Sequence, residues 1–304
     1  MMIVVSGENL LDVFKVKNNN YNFVNGGAGY NTALSLGRFK SKIYYLSNIS
    51  NDFFGKKIYK DLKKNNINTK FITKSNHSTS LAIVNQGKKT EYSFYLKNTA
   101  FRYVKNDKIL KLKKNKIKLC YFTCLSIFLD PVAKKNIEIA KKIHTNSIVF
   151  LDPNIRKNII DSKKKFIDIF NTYMKYASLI KLSNEDLAYL KNNKSAKNTI
   201  SYWILKYNLS AVILTKGKNG ATVYTKRFSV SKNSIKVKVK DTVGAGDVFS
   251  AGIIRYLEKK NLLDVKKIKN LSKNNWLSAL EYANLVAAKS CTREGCNPYN
   301  INLV

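Results

Sequence analysis

Short apolar runs alternate with longer amphipathic stretches along most of the chain. Residues 3–6, 42–47, 119–123, 147–151, 177–182 and 211–215 each have the length and apolar continuity of strands buried on both faces. Helical patterns lie between them. One begins at Asn31, and in a second Phe54, Ile58 and Leu62 recur on a single face. A third starts at Pro131, whose fixed φ suits a first turn, and a fourth spans 198–207. Alternation of this kind predicts a mostly parallel sheet covered by helices on both faces, a doubly wound α/β fold. Two stretches break the rhythm. Residues 13–24 and 79–96 are β-prone, with Thr, Ser, Tyr and Phe in partial alternation, and predict a small separate sheet standing off the main body. After residue 211 come further short strands at 221–224, 228–230 and 235–239, then helices over 245–258 and 275–290.

Length and composition bound this picture without changing it. With 304 residues, 44% of them apolar, the chain can bury a sizeable core, and its 3 prolines and 13 glycines leave little room for linkers. A single domain over 1–304 is expected. The opening residues Met1 to Glu8 read as a first buried strand, not a signal peptide, and no run approaches the roughly 18 apolar residues of a membrane span. A cytoplasmic location follows as the expectation. Cys120 and Cys124, then Cys291 and Cys296, are not spaced as CxxC, and only His77 and His144 could supplement them. Buried free thiols are therefore expected, not a zinc site.

The net charge of +36 raises the question of a nucleic-acid partner. The excess is nearly all lysine, travels with abundant Asn and Ile, and is spread along the chain with few aromatic neighbours. All three residue types have AT-rich codons, so codon bias accounts for the pattern and a nucleic-acid partner is not expected. The rival, a basic nucleic-acid-binding protein, would show tight, steeply salt-dependent DNA binding. Either way, a positive field speeds the arrival of anionic nucleotides.

The stretch Asp241-Thr242-Val243-Gly244-Ala245-Gly246-Asp247 carries the most chemistry. It follows a strand-like run and opens a helix. Gly244 and Gly246 let the backbone turn tightly and approach a ligand. Amides at a helix start point outward at the positive end of the dipole, which suits a phosphate. Asp247, in the first turn beside that anion site, is placed to take a proton from an attacking hydroxyl.

This stretch resembles the C-terminal signature of the ribokinase-like (PfkB) family of carbohydrate kinases. The resemblance makes Gly244, Ala245 and Gly246 an anion hole for the transferring phosphate and Asp247 the catalytic base. A second family signature appears as Gly26-Gly27-Ala28-Gly29-Tyr30-Asn31, and implies that Gly26, Gly27 and Asn31 meet the sugar. Asp12, after Gly7-Glu8, matches the family's sugar-binding aspartate. Asp152-Pro153-Asn154-Ile155-Arg156 resembles the DPNxR of fructokinases and 2-keto-3-deoxygluconate kinases, with Arg156 as a cationic contact to substrate or phosphate. Thr215, Gly217 and Gly220 resemble the TxGxxG loop beside the nucleotide phosphates. Thr292-Arg293-Glu294-Gly295 resembles the segment near the adenine pocket, where Asn284 would also lie.

The resemblance covers essentially the whole chain. It implies a ribokinase-like fold with a β-lid at about 13–25 and 77–104, and ATP and Mg²⁺ as cofactors; a homodimer through the lid, as lids of this family often form, and dependence on a monovalent cation stay open. Departures are visible too. The family's NxxE element, which organises magnesium-bound water, falls on Ser183-Asn184-Glu185-Asp186, so Asp186 or Glu185 would take the metal-water role. Ser183 and Asp186 read equally well as a helix-capping box. The fructokinase FYR is Phe94-Tyr95-Leu96-Lys97, and the Arg-Leu-Gly that ends the second signature is Arg38-Phe39-Lys40, a changed helix end. No Walker A sequence is present. Expected, then, is transfer of the γ-phosphate to a primary hydroxyl, with fructose the preferred acceptor. The alternatives are 2-keto-3-deoxygluconate, whose carboxylate would call on Lys97 or Arg102, and ribose or a nucleoside.

Overall fold

The computed structural model describes residues 2–15, 20–86, 90–105, 107–191 and 195–299. Nine strands form the large sheet. Its middle is built from β1 (Met2–Ser6), β4 (Ile43–Ser50), β8 (Ile117–Thr123), β9 (Ile148–Asp152), β10 (Leu179–Ser183) and β11 (Ala211–Thr215), all parallel. At one edge β5 (Ile72–Ser75) adds in parallel; at the other β12 (Ala221–Tyr224) and β13 (Ser229–Lys232) add antiparallel. The order is β13-β12-β11-β10-β9-β8-β1-β4-β5.

Alternation along each strand sorts its side chains between two cores. Ile3, Val5, Tyr121, Phe150 and Ile213 face α1 (Ala28–Arg38), α9 (Ala245–Lys259) and α11 (Lys273–Ser290). Val4, Phe122, Leu151, Ile180 and Val212 face the opposite way, toward α5 (Val132–Ile143), α6 (Lys163–Met174) and α8 (Ala196–Lys206). On α2 (Phe53–Lys64) the expected face is seen, with Ile58 and Leu62 fully buried.

The second sheet has four strands in the order β3-β2-β6-β7: β2 (Leu10–Lys15), β3 (Tyr21–Gly26), β6 (Ser80–Gln86) and β7 (Thr90–Tyr95). Parts of the two β-prone stretches, 16–19 and 87–89, lie outside the described residues. The sheet begins earlier than its alternation suggested, at Leu10, which pairs with Gly26 and Ser80 while both Leu10 and Leu11 are buried. It also ends earlier, at Tyr95, since Leu96, Phe101 and Val104 join the core under the large sheet.

Two elements differ from expectation. The helix expected from Asn31 starts at Ala28, because the buried Glu8 carboxylate accepts the Ala28 amide at 2.7 Å and Gly27, at φ +102°, turns the chain into it. Residues 235–239 form no strand. The Asn284 amide donates to the carbonyls of Lys232 and Asn233 at 3.1 and 3.2 Å, closing off the edge strand, and Ile235 and Val239 are left exposed. Among the described residues, no helix is long and apolar enough to cross a membrane.

Candidate active site

The loop entering α9 is held from both sides. Asp241 Oδ1 accepts the Val243 amide at 2.9 Å and Oδ2 the Gly295 amide at 2.8 Å. Gly244 sits at φ +73°, and a Cβ there would lie 2.6 Å from Cys296 Cβ, so both conformation and packing demand glycine. The Ala245 amide donates to Thr242 O at 3.2 Å, and Val248 makes the first helical bond to Gly244 O at 2.9 Å. Of the expected anion hole, Ala245 therefore spends its amide locally. Those of Gly246 and Asp247 have no acceptor among the described residues and open onto the cleft.

Asp247 is buried at the base of this turn. Asn31, reaching from α1, donates its amide to Oδ2 at 2.9 Å, and Asn154 approaches Oδ1 at 3.4 Å. Burial pushes the Asp247 carboxyl up to about 7; the Asn31 hydrogen bond opposes this, the Asp152 charge adds to it, and Lys181 and Arg156 oppose it. A carboxyl poised near neutrality is suited to general-base work.

Behind Asp247 lies an ion pair that sequence reasoning missed. Lys181 Nζ stands 2.8 Å from Asp152 Oδ2, both side chains nearly inaccessible. Tyr121 and Ser250 also donate to that oxygen, at 2.8 and 3.1 Å. Burial works against the Lys181 ammonium, but Asp152 and Asp186 hold its pKa above the ordinary value. A Cβ on Gly246 would come 3.2 Å from Lys181 Nζ, so the ammonium lies beside the amide cradle and lines the cleft. The available signal was a single lysine in an otherwise apolar strand run.

On the side of the small sheet, a cavity of about 70 Å³ is lined by Glu8, Asp12, Asn31, Cys124, Arg156 and Asp247, among others. Burial pushes Asp12 up to about 7, against the Arg156 charge and with those of Glu8 and Asp241. Near neutral pH such a group both donates and accepts, as sugar hydroxyls require. Gly26 leaves room for this carboxylate: a Cβ there would lie 2.1 Å from Asp12 Oδ2 and would displace it. Gly27 shapes the turn below. Arg156 carries its guanidinium 5.8 Å from the Tyr92 ring centroid and lines this cavity and the next.

The larger cavity, about 660 Å³, runs from Asp247 and Gly246 past Lys181 and Glu185 to the loop after β11. Thr215 and Gly217 line it, and Gly217, at φ +55°, has open space where a Cβ would stand. Gly220 and Asn284 are not among its lining residues. Gly220, at φ +79° and with Lys232 O 2.1 Å from a Cβ, closes the β11–β12 hairpin instead, and Asn284 is spent on the β13 end. Asp186 lines the cavity, but protein donors engage its carboxylate oxygens. Its Oδ2 accepts from the Ser183 amide and hydroxyl, both at 2.8 Å, completing a capping box on α7 (Asn184–Leu190). Its Oδ1 accepts the Ile155 amide at 2.7 Å, which anchors the Asn154–Arg156 loop. Glu185 is exposed on the cavity wall and pairs with no described residue.

Arg102 and Lys97 are not among the residues lining the small cavity beside Asp12. Arg102 donates through Nε and Nη2 to Asp130 O, and Lys97 is exposed. The four cysteines are free thiols; Cys120 and Cys124 are buried as expected, whereas Cys291 and Cys296, in the turn after α11, are only partly so.

Comparison with known proteins identifies relatives of the whole chain. The chain is 28% identical over 276 residues to a fructokinase of Rhizobium leguminosarum bv. trifolii, covering 89% of this chain and 84% of that one. The fold superimposes on the fructokinase of Xylella fastidiosa with bound ATP at a TM-score of 0.87, with 20% identity over 97% of this chain and 93% of that one. It also superimposes on aminoimidazole riboside kinase of Salmonella enterica, complexed with aminoimidazole riboside and an ATP analogue, at 0.84, again 20% identical, covering 97% and 95%. The family model described as pfkB family carbohydrate kinase matches residues 2–302, and the chain belongs to that family of carbohydrate kinases.

Proposed function

We propose that the protein is an ATP-dependent fructokinase that phosphorylates the primary 6-hydroxyl of fructose. One observation carries the reading: Asp247, Gly244 and Arg156 line both the small sugar-side cavity and the large one, so the base stands where the two meet. The sugar lies under the small sheet, met by Asp12 from β2 and by Glu8 and Asn31 from the main body. Asp247 takes the proton from the hydroxyl, and that oxygen attacks the γ-phosphate in line. The Gly246 and Asp247 amides and the Lys181 ammonium face the charge that develops. Arg156 holds the phosphate edge toward the sugar. Glu185 is the carboxylate available to a magnesium ion carried mainly by phosphates and water, whose charge would neutralise those phosphates. The small sheet acts as a lid that keeps water from the activated base.

One feature favours fructose: the Rhizobium relative is a fructokinase. The fold alone does not choose, since a riboside kinase superimposes nearly as well. Tyr21, Phe23 and Tyr95 are exposed on one face of the small sheet and offer it for a homodimer, which sedimentation would report.

ADP release over fructose, ribose, 2-keto-3-deoxygluconate and aminoimidazole riboside tests the reading. Fructose is expected to give the highest kcat/KM, and Asp247→Asn to lower kcat by roughly 10²- to 10⁴-fold. A higher kcat/KM on another acceptor would overturn the substrate; near-normal activity of Asp247→Asn would overturn the mechanism.

A further inference from the structure

A second cavity, about 630 Å³, lies away from the cleft and shares no lining residue with the cavities around Asp247. Three separate segments bring Arg38, Lys40, Lys64 and Arg293 to its wall, and among its described lining residues there is no acid. The C-terminal ends of α1 and α2 also meet here. Cations commonly sit at such ends, but two helix ends carry only about −0.5 charge each, which offsets roughly one of the four positive charges.

The backbone marks the same place. Of the seven non-glycine residues at positive φ among the described residues, five are asparagine; the exceptions are Cys124, in the sugar-side cavity, and Lys40. Lys40, at φ +61°, follows the C-cap of α1, where glycine is the usual residue. A lysine held in a conformation that glycine adopts freely is a local cost, and its side chain lines this cavity. Arg38 uses Nε on Asn65 and Nη1 on Asn297 and Pro298, leaving Nη2 without a described acceptor. The Arg293 guanidinium stacks 3.3 Å from the centroid of the Tyr299 ring, which leaves its N–H edges directed sideways.

We propose that this cavity is a second binding site, for a small molecule bearing two or more phosphoryl groups. The Arg293 guanidinium and the remaining Arg38 Nη2 can donate to phosphate oxygens, and two lysines supply further charge without directional demands. The volume is within the usual range for small-ligand sites, about 300–1,000 Å³. The covered Tyr299 ring disfavours a nucleic-acid strand, which needs bare aromatic faces for its bases to stack on.

Inorganic pyrophosphate is the probe, titrated calorimetrically at physiological salt with the catalytic cleft filled by fructose and a non-hydrolysable ATP analogue. One saturable site is expected. Lys40→Gly with Lys64→Gln should weaken it by about tenfold or more. The same charge change at exposed Lys164 and Lys165 should leave it intact. Glycine suits the positive φ, so the double variant should fold and keep its kinase activity; Lys64→Glu alone repeats the test if it melts early. Absence of saturable binding would overturn the proposal, as would equal affinity in the variant or equal weakening by the Lys164/Lys165 control. Loss of binding once the cleft is filled would assign the pyrophosphate to the cleft and overturn it too. Displacement by a short DNA duplex at lower concentration than pyrophosphate would show a nucleic-acid surface instead.

Discussion

Replacing Lys181 by methionine keeps the side-chain stem and deletes the ammonium. Asp152, with 0% side-chain exposure, then loses its 2.8 Å partner and retains only the Tyr121 and Ser250 hydroxyls. Breaking a buried pair by removing one member costs about 3–5 kcal/mol, because the remaining charge is left without compensation. Against a total stability of roughly 5–15 kcal/mol, that is a large fraction. Two charge-assisted hydrogen bonds remain, each contributing about 1.5–3 kcal/mol, so the lower end of the penalty is expected. The change also acts on the base. Asp152 already raises the Asp247 pKa and Lys181 lowers it, so removing the lysine pushes that carboxyl above about 7 and leaves less of it ionised at neutral pH. Urea unfolding measures the first effect and a pH–kcat/KM profile the second. Adding Asp152→Asn removes the orphaned charge and should restore most of the stability. It should not restore kcat, because the ammonium beside the Gly246 cradle is still missing. A single variant that loses under about 1 kcal/mol, or a double variant no more stable than the single, would refute this account of the pair.

Three further outcomes follow from the same geometry. Asp247 has its pKa raised to about 7, so kcat/KM should fall tenfold per pH unit below that value and level off above it. An acid whose folded pKa is raised binds more protons folded than unfolded, so Asp247 and Asp12 contribute stability that is lost as pH rises from about 4 to 7. Thermal melts of Asp247→Asn should be flatter than wild type across that window. Gly246→Ala should reduce activity while leaving the melting temperature unchanged or raised: the new Cβ meets only the end of the Lys181 side chain and intrudes on the phosphate cradle, whereas alanine favours the helix by about 1 kcal/mol. Gly26→Ala drives a Cβ against Asp12 Oδ2, so steady-state assays should show a raised KM for the sugar and an unchanged KM for ATP.

The central strands were legible because each is buried on both faces, and continuous apolar runs admit few other readings. The error at 235–239 has the same origin. Ile235, Val237 and Val239 alternate with lysines as an edge strand would, but the last sheet position ends where Asn284 caps the carbonyls of Lys232 and Asn233. Local alternation carries no information about whether a neighbouring strand offers free donors and acceptors, and that absence decided the outcome.

The site was legible in proportion to how local its chemistry is. Gly244 to Asp247 is one turn whose glycines, amides and carboxylate act within a few residues, and its residue types reveal it. Ser183 and Asp186 were equally local yet ambiguous, because a capping box and a metal-water element share the same spacing. What resolved them was the Ile155 amide, 31 positions away in the chain, which takes the second Asp186 oxygen and turns this acid into the anchor of the Arg156 loop. Gly220 and Asn284 show the converse: resemblance brought them to the right neighbourhood, but their bonds fix the hairpin and strand end that frame the cleft. Lys181 and the distant basic cavity were invisible for a stricter reason. Each depends on charges that meet only after the sheet and helices have formed, Lys181 with Asp152 and Asp247 and Arg38 with Arg293, and the order of residues along the chain does not encode those meetings in any local pattern.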